Sequence, residues 1–250
     1  MLPEAAELGP DTGEFTFSRI GDLTFQVPIQ VMLSGTASNG ADYILITQTN
    51  TITFPAGIDT IIIPVTPFLD HRTEGDETVV FTIVTNLIYN IGNGEATVTI
   101  HDSPYGMWNI AHFTLEELTD PLLSGEDADF DHDKRINFIE YAFNLDPKGP
   151  DPATNAPLRT TIESNPADGK NHINLTYHRW IEPTDVRYEV RISTNLLTWN
   201  SGTNYVEEFQ VTPDANGLTE SVKSRLIVPW PITGNCQYIT IRVGLRATGP

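Results

Sequence analysis

Between Glu14 and Asp102 apolar and polar residues alternate in short runs broken by turn chemistry. A period of two repeated in this way restricts the segment to antiparallel sheet with one buried face. The runs are Phe15 and Phe17; Val27, Ile29 and Val31; Ile52 and Phe54; Ile61 to Ile63; Val79, Phe81 and Ile83; and Val98 and Ile100. Ser38-Asn39-Gly40, Pro55-Ala56-Gly57, Glu74-Gly75-Asp76 and Gly92-Asn93-Gly94 separate them, and these are residues that close turns. The spacing predicts an all-β sandwich.

After Ser103-Pro104 the pattern changes. Residues 113–118 predict a short helix capped by Thr114 and ended at Asp120-Pro121, and residues 136–145 predict a second, stopped at Asp146-Pro147. A Pro/Gly/Asp/Asn-rich stretch from Pro147 to Pro157 reads as a linker or long loop. From about Arg159 alternation returns, in Ile173, Leu175 and Tyr177, in Val186, Tyr188, Val190 and Ile192, and in Ile239, Ile241, Val243 and Leu245, with a less clear run over 222–228. The expected fold is mainly β: two antiparallel, immunoglobulin-like β-sandwiches at 1–103 and 151–250, joined by a small helical insert at 104–150.

Charge narrows the function. The chain has 250 residues, 14 Lys and Arg against 33 Asp and Glu, and a formal net charge of −19. Residues 1–133 contain 21 of the acids and only the cations Arg19 and Arg72, which accounts for all of it, since the remainder has 12 of each sign. A nucleic-acid or anionic-membrane surface needs a basic stripe, and few cations are available to build one. No apolar run is long enough to cross a membrane, so membrane insertion is not expected. Acids crowded into one part of a fold repel one another, which calls for a local neutraliser such as a hard divalent cation.

Residues 129–140 read Asp-Phe-Asp-His-Asp-Lys-Arg-Ile-Asn-Phe-Ile-Glu. With Asp129 as the first position, Asp131, Asp133, Asn137 and Glu140 take the third, fifth, ninth and twelfth, which is the ligand spacing of a twelve-residue calcium loop. Alternate residues of such a loop turn their oxygens inward. Arg135 would offer its backbone carbonyl, Asn137 would ligate directly or through water, and Glu140 would close the shell with both oxygens. Lys134 occupies the sixth position, where glycine is usual because the loop turns through positive φ, and a side chain there costs about 1–2 kcal/mol. The competing reading is a solvated acidic loop whose aspartates favour the N-terminus of the following helix.

Two resemblances rest on these residues. The stretch Trp108 to Pro147, with Phe113-Thr114, Glu117-Leu118, the acidic loop and Glu140-Tyr141-Ala142-Phe143-Asn144-Leu145-Asp146-Pro147, resembles the dockerin-like or thrombospondin-type-3-like calcium inserts of bacterial surface proteins. Residues 4–103 resemble a Calx-beta domain, through Glu7 to Arg19, Ser34-Gly35-Thr36-Ala37, Asp42-Tyr43, Ile52 to Gly57, Glu74-Gly75-Asp76-Glu77-Thr78 and Ala96 to Asp102. The resemblance implies calcium at one end of the sandwich. The carboxylates that match that family's ligands are Glu7, Asp42, Asp70, Glu74, Glu77 and Asp102. Ser103 and Pro104 stand where further acids are expected, so the resemblance implies one or two ions there.

The resembled family usually has one more strand before the glutamate matched by Glu7, and only Met1 to Ala6 is present for it here. The segment Tyr238 to Pro250 resembles that strand and its exit. The corresponding expectation is a module that self-associates, or joins neighbouring repeats of the same protein, by strand addition at exposed β-edges.

No phosphate-cradling glycine loop, His-Glu-x-x-His or Gly-x-Ser-x-Gly is present. His172 and His178 read as surface residues of one strand, and the single cysteine, Cys236, as a small buried hydrophobe. Trp180, Trp199, Tyr205 and Trp230 could pack the second sandwich or form a platform for glycans. The expected function is non-enzymatic: a Ca2+-stabilised structural or adhesive module, extracellular at a bacterial cell surface, with its signal peptide outside this chain. The alternative is a carbohydrate-binding accessory module of a secreted hydrolase.

Overall fold

The structure is a computed structural model that describes all residues except 1, 10, 46–49, 70–71, 151–156, 182–183, 231–236 and 247–250. Asp70 and Cys236 lie outside the described residues. The chain is mainly β and divides into two compact units, one up to Ile110 and one over Ala111–Arg246.

In the first unit β1 (Glu4–Ala6), β8 (Glu95–His101), β7 (Glu77–Ile83), β3 (Val27–Gly35) and β5 (Thr51–Phe54) form one sheet in that order. A second sheet contains β2 (Gly13–Ser18), β6 (Thr60–Pro67) and β4 (Tyr43–Leu45) in the order β2-β6-β4. The alternation read from sequence is the inward face of both sheets. Phe15, Phe17, Ile29, Val31, Ile52, Phe54, Ile63, Val79, Phe81, Val98 and Ile100 are all buried in one core, where Phe81 meets Phe15 and Phe17 edge-on. Burying a side chain of this size contributes about 1.5–3 kcal/mol, enough to fix the strand register.

Among the described strands the pairings are antiparallel except one. β1 runs parallel to β8, with Glu4 opposite Thr99 and Ala6 opposite His101. His101 fastens this short strand: its Nε2 lies 2.8 Å from a Glu4 carboxylate oxygen and its Nδ1 3.0 Å from one of Asp76. These hydrogen bonds, that to Asp76 foremost, raise its pKa above the usual imidazole value.

The registers Gly13↔Val65, Gly35↔Val79, Tyr43↔Pro67 and Glu77↔Ile100 bring residues 7–9, 11–12, 36–42, 68–69, 72–76 and 102 to one end of the sandwich. Glu7, Asp42, Glu74, Glu77 and Asp102 therefore share that end.

Sequence reading did not anticipate the next element, α1 (Pro104–His112). Its start is conventional: the Ser103 hydroxyl accepts a hydrogen bond from the Gly106 amide at 3.1 Å, and Pro104 fills the first helical position, where an N–H would have no partner.

The second unit opens with α2 (Leu115–Leu118), whose N-cap Thr114 and third residue Glu117 form a complete capping box. Asp120-Pro121 does not simply end that helix. Asp120 caps a further turn, α3 (Pro121–Ser124), by accepting the Leu122 amide. The second expected helix is shorter than its 136–145 span: α4 covers Asn137–Phe143, and Asn144 stops it in the left-handed conformation at φ 53°.

The remaining strands make two sheets. One has the order β13 (Val206–Pro213), β14 (Thr219–Leu226), β10 (Asn171–Trp180), β9 (Leu158–Ser164), and the other β12 (Asn200–Ser201), β11 (Val186–Ser193), β15 (Tyr238–Leu245). Ile173, Ile192 and Leu226 centre the core between them, with Trp230 and Ile239 packed against it. His172 departs from its expected surface position. It is 2% exposed, and its ring nitrogens reach the Leu226 carbonyl at 2.7 Å and Asp168 at 3.0 Å, so hydrogen bonding makes its burial tolerable. His178 is exposed, 2.8 Å from Asp214.

Candidate metal centres

In the second unit the loop before α4 gathers Asp129, Asp131 and Asp133 so that one carboxylate oxygen of each lies within 4.8 Å of the others. Two like charges at that distance repel by roughly 1 kcal/mol in a water-like medium and by roughly 3 at an effective dielectric of 20. Backbone donors offset part of this. The Lys134 amide donates to Asp129 at 3.0 Å, the Asp133 amide to Asp131 at 3.0 Å and the Arg135 amide to Asp133 at 2.9 Å. The Arg135 guanidinium adds an ion pair to Asp133 at 2.7 Å, a role for its side chain that the loop spacing did not predict.

Buried oxygens of this segment that have no hydrogen-bond donor include Asp129 Oδ1, Asp131 Oδ2 and Asn137 Oδ1. An isolated buried acceptor costs about 1–3 kcal/mol, so a donor set of this kind suits a hard cation. The amide of Asn137 is fully buried and donates to the carbonyls of Leu123 and Gly125 at 2.9 and 3.0 Å, which ties the loop back to α3. Glu140 is also 0% exposed, at the first turn of α4, but is not among the three carboxylates brought within 4.8 Å.

The loop turns as its spacing demands. Lys134 sits at φ 80° and His132 at φ 62°, both in the left-handed region that side chains disfavour. Lys148 braces the loop from outside: its ammonium is 2.5 Å from Glu117 and lies over the rings of Phe113 and Phe130.

At the acidic end of the first unit Asp42, Glu74 and Glu77 come together within 4.8 Å. Burial raises the Glu77 pKa to about 7, and the charges of Asp42 and Glu74, a hydrogen bond with Asp42 and the charge of Asp102 push in the same direction.

Asp102 organises the surrounding loops. One oxygen accepts the Glu74 and Gly75 amides at 3.0 and 2.8 Å and the other the Ser103 amide at 2.7 Å, while burial raises its pKa against these bonds. Gly106 makes room for it, since a Cβ at that position would lie 2.3 Å from an Asp102 oxygen. Nothing local in the sequence marked Gly106. Glu7 is buried, its amide bonded to the His101 carbonyl, but is not part of the close set.

The aromatic residues considered for a glycan platform divide. Trp180 donates its indole N–H to the Tyr141 carbonyl at 2.7 Å, and Trp230 packs on the core, whereas Trp199 is half-buried and Tyr205 exposed. Among the described residues no helix is long and apolar enough to cross a membrane.

No protein-family model matches the chain, and no curated protein matches it. Among solved structures it is similar to the apo form of the Calx CBD1 domain, with 25% identity and a TM-score of 0.32 over 40% of this chain and 88% of that one. It is also similar to the calcium binding domain CBD12 of CALX1.1, with 12% identity and a TM-score of 0.38 over 98% of this chain and 78% of that one. For CBD12 from CALX1.2 the values are 13% and 0.36, over 96% and 78%. The solved structures that this chain is similar to thus include Calx domains, one of them described as calcium binding.

Proposed function

We propose that this chain is a non-enzymatic, calcium-stabilised structural module that binds Ca2+ through Asp129, Asp131, Asp133, Asn137, Glu140 and the Arg135 carbonyl, and at a second site through Asp42, Glu74 and Glu77. The observation that carries the reading is the acidic loop: three aspartates within 4.8 Å, two of them with buried oxygens that receive no hydrogen bond. Glu7, Asp70 and Asp102 complete the second site in this reading, Asp102 by fixing the 74–75 loop.

The strain at Lys134 supports an extracellular setting. A loop that spends about 1–2 kcal/mol on an unfavourable φ binds less tightly than its carboxylates alone would allow. Millimolar outside calcium fills such a site, as it does for extracellular modules with dissociation constants of 10⁻⁴–10⁻³ M. In this setting the module forms part of a surface protein or filament, and neighbouring copies join by strand addition at β-edges.

The test is thermal unfolding with calcium and with chelator, together with ion counting, on the wild type and on an Asp129→Asn, Asp131→Asn double variant. At a hundredfold excess over the dissociation constant, calcium stabilises the wild type by about 3 kcal/mol for each occupied site. The double variant loses the part of this that belongs to the second unit. A wild-type chain with no bound calcium and the same melting temperature in both buffers refutes the reading.

A further inference from the structure

α4 is a poor helix on its own. It has seven residues, about two turns, and its N-cap is Ile136, whose side chain makes no capping hydrogen bond. Helices this short are not stable in water without tertiary support. Support reaches it from two sides. On the N-terminal side is the acidic loop, and Glu140 belongs to both loop and helix. On the C-terminal side β10 and β11 hold the two residues that follow Glu140.

That second grip is specific. The Trp180 indole donates to the Tyr141 carbonyl at 2.7 Å, and the Tyr188 hydroxyl donates to the Ala142 carbonyl at 2.5 Å. The Tyr141 hydroxyl donates to the fully buried carboxylate of Asp185, which immediately precedes β11. The rings agree with the hydrogen bonds: Tyr141 packs on Trp180 with centroids 5.6 Å apart, and Phe143 meets the edge of Tyr188 at 6.2 Å. The carbonyls held in this way belong to the end of α4, where the last carbonyls lack intrahelical i→i+4 partners, and that of Tyr141 also accepts the Asn144 amide at 3.0 Å.

We infer that Trp180 and Tyr188 are positioning residues for the calcium loop: by holding the Tyr141 and Ala142 carbonyls they preset Glu140, so that calcium binding at 129–140 and the order of β10 and β11 stabilise each other. This rests on the reading of the loop as a calcium site. Linkage requires the effect to be reciprocal, so calcium protects the strands as the strands favour calcium. Neither residue is a ligand.

The test uses the full chain with calcium alone as the probe. Calorimetric titration compares the wild type with Trp180→Phe, Tyr188→Phe and Glu140→Gln. Trp180→Phe removes the indole donor and part of the ring packed on Tyr141, and Tyr188→Phe removes the hydroxyl that donates to the Ala142 carbonyl and accepts the Trp180 amide at 3.3 Å; each weakens calcium binding at the loop about fivefold, with the number of ions unchanged. Glu140→Gln removes one ion. If Glu140→Gln removes an ion but the Phe variants bind calcium with wild-type affinity and only melt earlier in chelator, Trp180 and Tyr188 are packing residues and the inference falls while the calcium loop stands. If Glu140→Gln binds as many ions as the wild type, the loop reading falls and takes the inference with it.

Amide hydrogen exchange on the wild type covers the case in which a variant does not fold. Calcium is expected to slow exchange in residues 137–145 and in 171–193 together. Slowing confined to the loop and α4 overturns the inference.

Discussion

The left-handed backbone at Lys134 makes an unusual prediction, a loop substitution that strengthens the protein. A side chain at φ 80° costs about 1–2 kcal/mol relative to an ordinary conformation. Lys134→Gly removes that cost but gives the unfolded chain more freedom, a loss of roughly 0.5–1 kcal/mol. The net gain is about 0.5–1 kcal/mol. The backbone amide that donates to Asp129 is kept, so the aspartate cluster is undisturbed.

For a unit the size of residues 111–246 this corresponds to a rise in melting temperature of about 2–4 °C. Removing the lysine charge also changes the electrostatics of the loop, and Lys134→Ala separates the two effects, because alanine loses the charge but keeps the Cβ that causes the strain. The assay is thermal unfolding of the wild type and both variants in saturating calcium. Glycine above alanine by a few degrees is the expected order. Alanine equal to or above glycine would refute the argument, since it would mean that the sixth loop position does not hold a strained φ in the calcium-loaded protein.

Further outcomes follow from other contacts. Glu77 has a folded-state pKa near 7 against an unfolded value of 4.5, so the folded calcium-free state holds its proton more tightly. The contribution of Glu77 to the stability of the chelated first unit is therefore fully present below pH 4.5 and is lost as pH rises through about 7; Glu77→Gln removes that component in pH-dependent denaturant unfolding, as does saturating calcium. Gly106→Ala drives a methyl group into the Asp102 carboxylate and destabilises the first unit by about 1–3 kcal/mol, with faster amide exchange at residues 74 and 75. Thr114→Ala breaks the capping box of α2 and costs about 1 kcal/mol, measurable by denaturant unfolding.

The parts of this molecule that were legible in its sequence are those written in consecutive residues. Alternation revealed the inward faces of β2, β3, β7 and β8, because a half-buried strand repeats its environment every second residue. The acidic loop could be read because its candidate ligands come from twelve consecutive positions, and the expected turn at Lys134 is present. The start of α1 was equally local, yet Ser103-Pro104 was weighed only as a pair of missing acids, although the same two residues are a cap and a first helical turn. β13 was missed because little of its Val-Glu-Glu-Phe-Gln-Val run is buried and alternation has no core to register against.

What could not be read is what forms between distant residues. Asp42, Glu74 and Glu77 converge only because two sheets stack in one register. His172 is buried by Leu226 and Asp168, neither of which is signalled by its own strand. The grip of Trp180 and Tyr188 on α4 joins residues about forty positions apart in the chain and leaves no periodic trace.

The parallel pairing of β1 with β8 has a mechanical consequence. Because the two strands point the same way, the start of β1 and the end of β8 lie at opposite ends of their ladder. Tension applied between those points loads the β1–β8 hydrogen bonds in shear, all at once, instead of peeling them one by one. The His101 bridge to Glu4 and Asp76 stands across the same line of force. Resistance to such a pull is governed by the unfolding rate and not by equilibrium stability. A ladder of three residues, clamped by one imidazole and flanked by the bridges of Leu2 to Glu14 and Ala6 to Asp11, would thus carry the load before the first sandwich gives way.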